Sequence, residues 1–141
     1  MKLRQVAGFL TGVIIWWFLF IAIGIGFGML WPGYREAARL LFSAADSSRF
    51  TTTMFLLNYL VFIVTGIATG WFAASIGKGR IPALVVALFY LILMAINHFY
   101  LEWNTFPSWY NVIVPFVISG SIAIGSQFVR SDSRVDNRKE I

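Results

Sequence analysis

The sequence predicts an all-α membrane protein: four transmembrane helices in one bundle, with a short extracytoplasmic interfacial helix after the first. Three observations carry that prediction. Of the 141 residues, 59% are hydrophobic and only 12% are charged, where a soluble domain has about 45–50% and about 25%. The charges are bunched, leaving charge-free windows of 30 (5–34), 28 (50–77), 21 (81–101) and 27 residues (103–129). A helix needs about 20 apolar residues to cross a bilayer, so each window suffices for one span. Finally, the net charge of +5 sits at the flanks of these windows, where it sets orientation rather than gripping a polyanion. A soluble globular protein, a disordered chain and a nucleic-acid binder are all excluded on these grounds.

The first span is expected at about 6–31. Its apolar run is far longer than the 7–15 residues of a signal-peptide core, so it reads as a retained helix. Trp31 and Pro32-Gly33 stop it. Residues 34–53 form the one sizeable connection. Within it Tyr34 to Phe42 has good helix formers, with Arg35, Glu36 and Arg39 on one face and Ala37, Leu40 and Leu41 on the other. That pattern predicts an interfacial helix at about 34–45, its apolar side on the lipid. Thr51, Thr52 or Thr53 can cap the second span, 54–76. Gly77-Lys78-Gly79-Arg80 makes a tight turn, and Pro82 sits where a first helical turn tolerates it. The third span covers 82–101. After a short connection Ser108 is the expected cap of the fourth, 109–129, which carries Pro115 in its second turn. Residues 1–130 thus form a single membrane domain. The tail at 131–141 alternates charge signs, has few apolar residues and reads as disordered.

Four spans place both termini on one side. Eight Lys or Arg fall there (Lys2, Arg4, Lys78, Arg80, Arg130, Arg134, Arg138, Lys139), against Arg35, Arg39 and Arg49 on the other. The positive-inside rule makes the termini cytoplasmic, in a cell inner membrane. Trp31, Tyr34, Tyr100, Trp103, Trp109 and Tyr110 fit the outer aromatic belt.

Small residues recur four apart, at Gly8/Gly12, Gly24/Gly28, Gly66/Gly70 and Ser121/Gly125. Lipid chains are as apolar as side chains, so helices associate through close packing at such residues. Internal packing is the first reading; a homo-oligomer or partner-subunit seam, at Gly24/Gly28 above all, is the second. Asn58, Thr65 and Thr69 lie on one stripe of the second span, by steps of seven and four residues. They suit interhelical hydrogen bonds or, alternatively, a polar pathway. Trp16 and Trp17 lie well inside the first span, where packing against a neighbouring helix is expected.

His98 and Glu102 are four apart and share a helical face. Asn58, Asn97 and Asn111 fall at the same end of the bundle, so the outer third gathers Asn58, Asn97, His98, Glu102 and Asn111, with Tyr59 and Tyr100 nearby. Ionisable groups within membrane spans are functional candidates, and His is the natural proton-responsive one. The plainer reading is a His–Glu pair reaching for the headgroups. Depth along the helix favours a buried Asn97, an exposed Glu102 and His98 between them.

No metal or cofactor site is expected. There is no Cys and a single His, and haem ligation by His98 would need a second axial ligand from another chain. No nucleophile elbow, zinc-protease helix or phosphate loop occurs; Gly24-Ile25-Gly26-Phe27-Gly28 only imitates the last, inside a membrane helix. No catalytic set emerges.

The run Gly66-x-x-x-Gly70-Trp71-Phe72-Ala73-Ala74 leading into a basic turn, then Phe106-Pro107-Ser108-Trp109-Tyr110 and Pro115, resembles a loose group of small uncharacterised bacterial four-helix membrane proteins. The likeness covers residues 58–128. It implies fold and topology and brings no activity. The expectation is therefore a non-enzymatic accessory or assembly subunit acting through helix packing, with the lipid bilayer and a second copy or another membrane subunit as partners. The alternative is a small oligomeric transporter or channel using the cluster around His98 and Glu102.

Overall fold

The computed structural model describes residues 2–129; the tail expected at 131–141 lies outside them. The chain runs α1 (Leu3–Leu30), α2 (Pro32–Ala44), α3 (Thr52–Gly77), α4 (Arg80–Ile96), a π-helical turn (Asn97–Leu101), α5 (Ser108–Gly125) and a 3-10 turn (Ser126–Phe128). Among the described residues there is no strand, and four helices are long and apolar enough to cross a membrane. Lys2, Arg4, Lys78 and Arg80 mark one end of the bundle, the basic end. The opposite, loop end carries Trp31, α2 and residues 102–107.

The helix ends follow local chemistry. Thr51 caps α3 by accepting from the Met54 N–H at 3.4 Å, as Ser and Thr side chains do for the free donors of a first turn. Lys78 ends α3 in the left-handed region, at φ 52°, and its neighbour Gly79 donates back to the Ala74 carbonyl at 2.9 Å. The α3–α4 turn is consequently two residues long. Ser108 is the first helical residue of α5 rather than its cap, because extended Pro107 occupies the capping position.

Two sequence expectations are corrected at the α1–α2 joint. Pro32 does not merely stop α1; it opens α2 one residue later, so Trp31 alone links the two helices. Pro suits the first helical turn because its missing N–H would have no partner there. The short joint folds α2 back onto the bundle. Tyr34 and Ala37 are buried with Met54, and Leu41 lines a cavity beneath α2. The apolar side of α2, expected on the lipid, faces protein.

The core is held at the basic end by small residues. A Cβ on Gly8 would lie 2.6 Å from the Ala73 carbonyl oxygen, and one on Gly12 would lie 2.9 Å from Val86 Cγ2. On the other side of α3, a Cβ on Gly66 would meet Ser121 Cβ at 2.6 Å, while Gly70 lies against the Ile122 carbonyl and Gly125 against the Ile67 carbonyl. Gly66, Gly70, Ser121 and Gly125 thus form the α3–α5 seam. Gly24 and Gly28 depart from the expected packing. Nothing lies within 4 Å of a Cβ on Gly24, and only the Arg35 stem approaches Gly28. This face of α1 points outward.

Trp16 is 1% exposed. Its ring lies 5.2 Å from Phe20 and 4.7 Å from Tyr90, centroid to centroid, and the Tyr90 hydroxyl donates to the Val13 carbonyl at 3.0 Å. These contacts pin α4 to α1. On the α3 stripe, Thr65 bonds its own helix at Val61, 2.8 Å away. The Thr69 hydroxyl and the Trp16 indole N–H are buried without a partner among the described residues. Only Asn58 of the stripe reaches the cavity, so the stripe is not a continuous polar path.

Candidate functional site

At the loop end the helices separate around a cavity of about 400 Å³. Its base is apolar and aromatic: Trp16, Phe20, Phe62, Leu93 and Met94 from three helices, with Leu41 and Phe42 of α2 above. Its polar lining residues include Tyr34, Asn58, Asn97, His98, Glu102 and Tyr110. Such a mixture, a mostly apolar wall with a few convergent polar groups, is the ordinary make-up of a small-molecule site.

The π-helical turn places the ionisable pair. Glu102 N–H bonds the Asn97 carbonyl at 2.9 Å, five residues back. His98 continues the buried stripe of α4, four residues after Met94 and eight after Tyr90, and is 5% exposed. Asn97 is only half-buried, which corrects the expectation that it would be the deepest of the three. Position around the helix, rather than height along it, decides burial: His98 shares the face of Tyr90 and Met94, and Asn97 is turned about 100° away from it.

Asn111 fixes the histidine. Its side-chain amide donates to the carbonyls of Trp103 at 3.1 Å and Phe106 at 3.2 Å. The amide nitrogen is thereby turned away from the imidazole and the Asn111 Oδ1 faces it, 2.9 Å from His98 Nδ1. An acceptor at that distance requires Nδ1 to carry the proton. In the neutral ring Nε2 is then the bare, basic nitrogen, and no hydrogen bond to it occurs among the described residues. Glu102 lies 3.8 Å from Nδ1 with its side chain about one-third exposed (36%), too far for a hydrogen bond and wet enough to contribute little.

Across the cavity the Tyr34 hydroxyl donates to Asn58 Oδ1 at 2.8 Å, tying α2 to α3. Burial pushes the Tyr34 hydroxyl above its ordinary pKa, so it stays a donor. On the exposed face of α2, Arg39 donates to Glu36 at 2.8 Å. That hydrogen bond holds the Glu36 carboxyl below its usual range.

The expected cluster is therefore assembled in part as imagined. Asn58, Asn97, His98 and Glu102 line one cavity, and Asn111, fully buried, stands behind His98 as its orienting partner. Tyr59 and Tyr100 do not belong: Tyr59 bonds toward the Tyr110 carbonyl at 3.5 Å, and Tyr100 is 85% exposed. The sequence reading missed Tyr34, Trp16 and Phe62 as cavity walls. A group of three metal-binding side chains does not occur among the described residues. Comparison with protein-family models, with curated proteins and with solved structures gives no match.

Proposed function

We propose that this is a small multi-pass protein of a bacterial inner membrane, with both termini cytoplasmic, that binds an amphipathic molecule in the cavity at its outer end. The observation that carries this reading is His98: buried, its Nδ1 committed to Asn111, and set at the polar edge of an aromatic cavity. A ligand with an apolar body would lie on Trp16, Phe20 and Phe62 and offer a hydroxyl or acid hydrogen to Nε2. Asn97, Asn58 and Glu102 complete the polar end. Orientation rests on the excess of basic residues at the other end.

The reading is one of binding rather than conduction or catalysis. Below the cavity, close contacts at Gly12 and Gly70 bring the helices together, which argues against a pore through a single copy. Among the described residues no Ser, Thr, Cys or Lys lines the cavity, so covalent catalysis has no nucleophile there. Assembly through small residues, the first expectation, loses force because most of those seams are used inside the bundle. It retains one support: the most apolar stretch of α1 is only 6% buried, which suits a helix that docks a partner.

Leu93→Trp tests the proposal, since Leu93 lines the cavity and an indole there would intrude on the ligand's place. Protein purified in mild detergent is extracted and its bound organic molecules are identified by mass spectrometry. A stoichiometric amphipathic compound present with the native chain and lost with Leu93→Trp is expected. The same extract from both proteins would overturn the reading.

A further inference from the structure

A second, apolar groove of about 520 Å³ runs along the outward face of α1 and shares Phe20, Tyr34, Ala38 and Phe42 with the cavity. The two volumes adjoin at these four side chains. The floor of the groove is open at Gly24, with Ile21, Ile25 and Met29 beside it. From Phe20 to Met29 a helix rises about 14 Å, close to half of the roughly 30 Å hydrocarbon core. The groove is one leaflet deep.

Arg35 lies at its mouth. Arg39 is engaged by Glu36, whereas Arg35 forms no ion pair among the described residues. Its Cβ and Cγ cross Gly28, 3.8 and 3.9 Å from the position of an added Cβ, so the aliphatic stem covers apolar surface as long basic side chains do. A trough of one-leaflet length, ending in an uncommitted guanidinium, matches an anionic phospholipid: acyl chain along Gly24, phosphate on Arg35.

We infer that the α1–α2 groove binds an anionic phospholipid of the leaflet at the loop end, and that lipid is the class of amphipathic molecule the cavity receives. The inference rests on the ligand-binding reading above. A second copy is the competing occupant, since Gly24 and Gly28 would also admit a helix. A two-fold seam centred there would bring two Arg35 side chains toward each other, and like charges facing across an interface oppose association.

Native mass spectrometry of the full chain in dodecylmaltoside, with equal phosphatidylglycerol and phosphatidylcholine of identical acyl chains, separates these outcomes. One bound phosphatidylglycerol is expected, favoured about fivefold, the preference that one basic residue at an anionic headgroup confers. Arg35→Gln should bring the two lipids to parity. Gly24→Leu should reduce both while the chain stays folded, because nothing stands near Gly24. No preference in the native chain, or a preference unchanged by Arg35→Gln, overturns the inference. So does a native dimer that Gly24→Leu splits without altering lipid binding. The Leu93→Trp extraction reports on the cavity by itself, so loss of the groove lipid and loss of the cavity ligand are read separately.

Discussion

Replacing Asn111 by Leu tests how the site is built. The substitution keeps the branching of the side chain but removes the acceptor of His98 Nδ1 at 2.9 Å and the donor to the Trp103 and Phe106 carbonyls at 3.1 and 3.2 Å. The imidazole N–H, 5% exposed as a residue, is left in a dry place, which costs about 1–3 kcal/mol. Each carbonyl bond lost near a membrane-facing helix adds about 0.6 kcal/mol, and at most about 1.7. The expected loss is about 2–4 kcal/mol. For a chain of this size that lowers Tm by roughly 6–16 °C. Asn97→Leu removes no protein hydrogen bond seen among the described residues, and Glu102→Gln removes only a long, part-exposed pairing worth about 0–1 kcal/mol. Thermal unfolding of the three variants in one detergent decides the matter. A larger loss for Asn97→Leu or Glu102→Gln than for Asn111→Leu would refute the reasoning and the inward position of His98 with it.

Other consequences follow from the same contacts. Gly70→Ala should destabilise strongly, by about 2 kcal/mol or more, since its Cβ would enter the Ile122 carbonyl and the backbone must shift. Gly24→Ala, in the same sequence pattern, should be neutral or stabilising by up to about 1 kcal/mol; unfolding in mixed micelles compares them. Tyr34→Phe breaks the 2.8 Å bond to Asn58, at a cost of about 0.5–1.5 kcal/mol, and should raise amide exchange in α2 while leaving α5 unchanged. A protease site inserted near Ser47 should be cut from outside spheroplasts, and tags at either terminus should be protected. Cleavage of an N-terminal tag from outside would reverse the orientation.

The spans were legible because charge placement and the length of apolar runs are local properties, and both are visible in a single sequence. The proximity of His98 and Glu102 was legible for the same reason, from helical spacing. What escaped depended on neighbours. Gly24/Gly28 and Gly66/Gly70 carry the same pattern, yet one faces Ser121 and Ile122 while the other faces open space. No local signal distinguishes them. His98 shares the buried face of Tyr90 and Met94, but its partner Asn111 meets it only after residues 102–107 reverse the chain. Tyr34 was read as belonging to an aromatic belt. It became a cavity wall because the joint at Trp31 is a single residue and turns α2 inward.

The central claim is a cavity open at the loop end and closed toward the basic end. The chain has no native Cys, so single substitutions Asn97→Cys, in the cavity, and Ile122→Cys, fully buried in the lower seam, can each be labelled without background. Sealed vesicles of known sidedness are treated with a membrane-impermeant thiol reagent. The account predicts rapid modification of Asn97→Cys from the side bearing the 102–107 connection, and none of Ile122→Cys from either side until the protein is denatured. An Asn97→Cys that reacts only after denaturation, or an Ile122→Cys that reacts as fast, would contradict it.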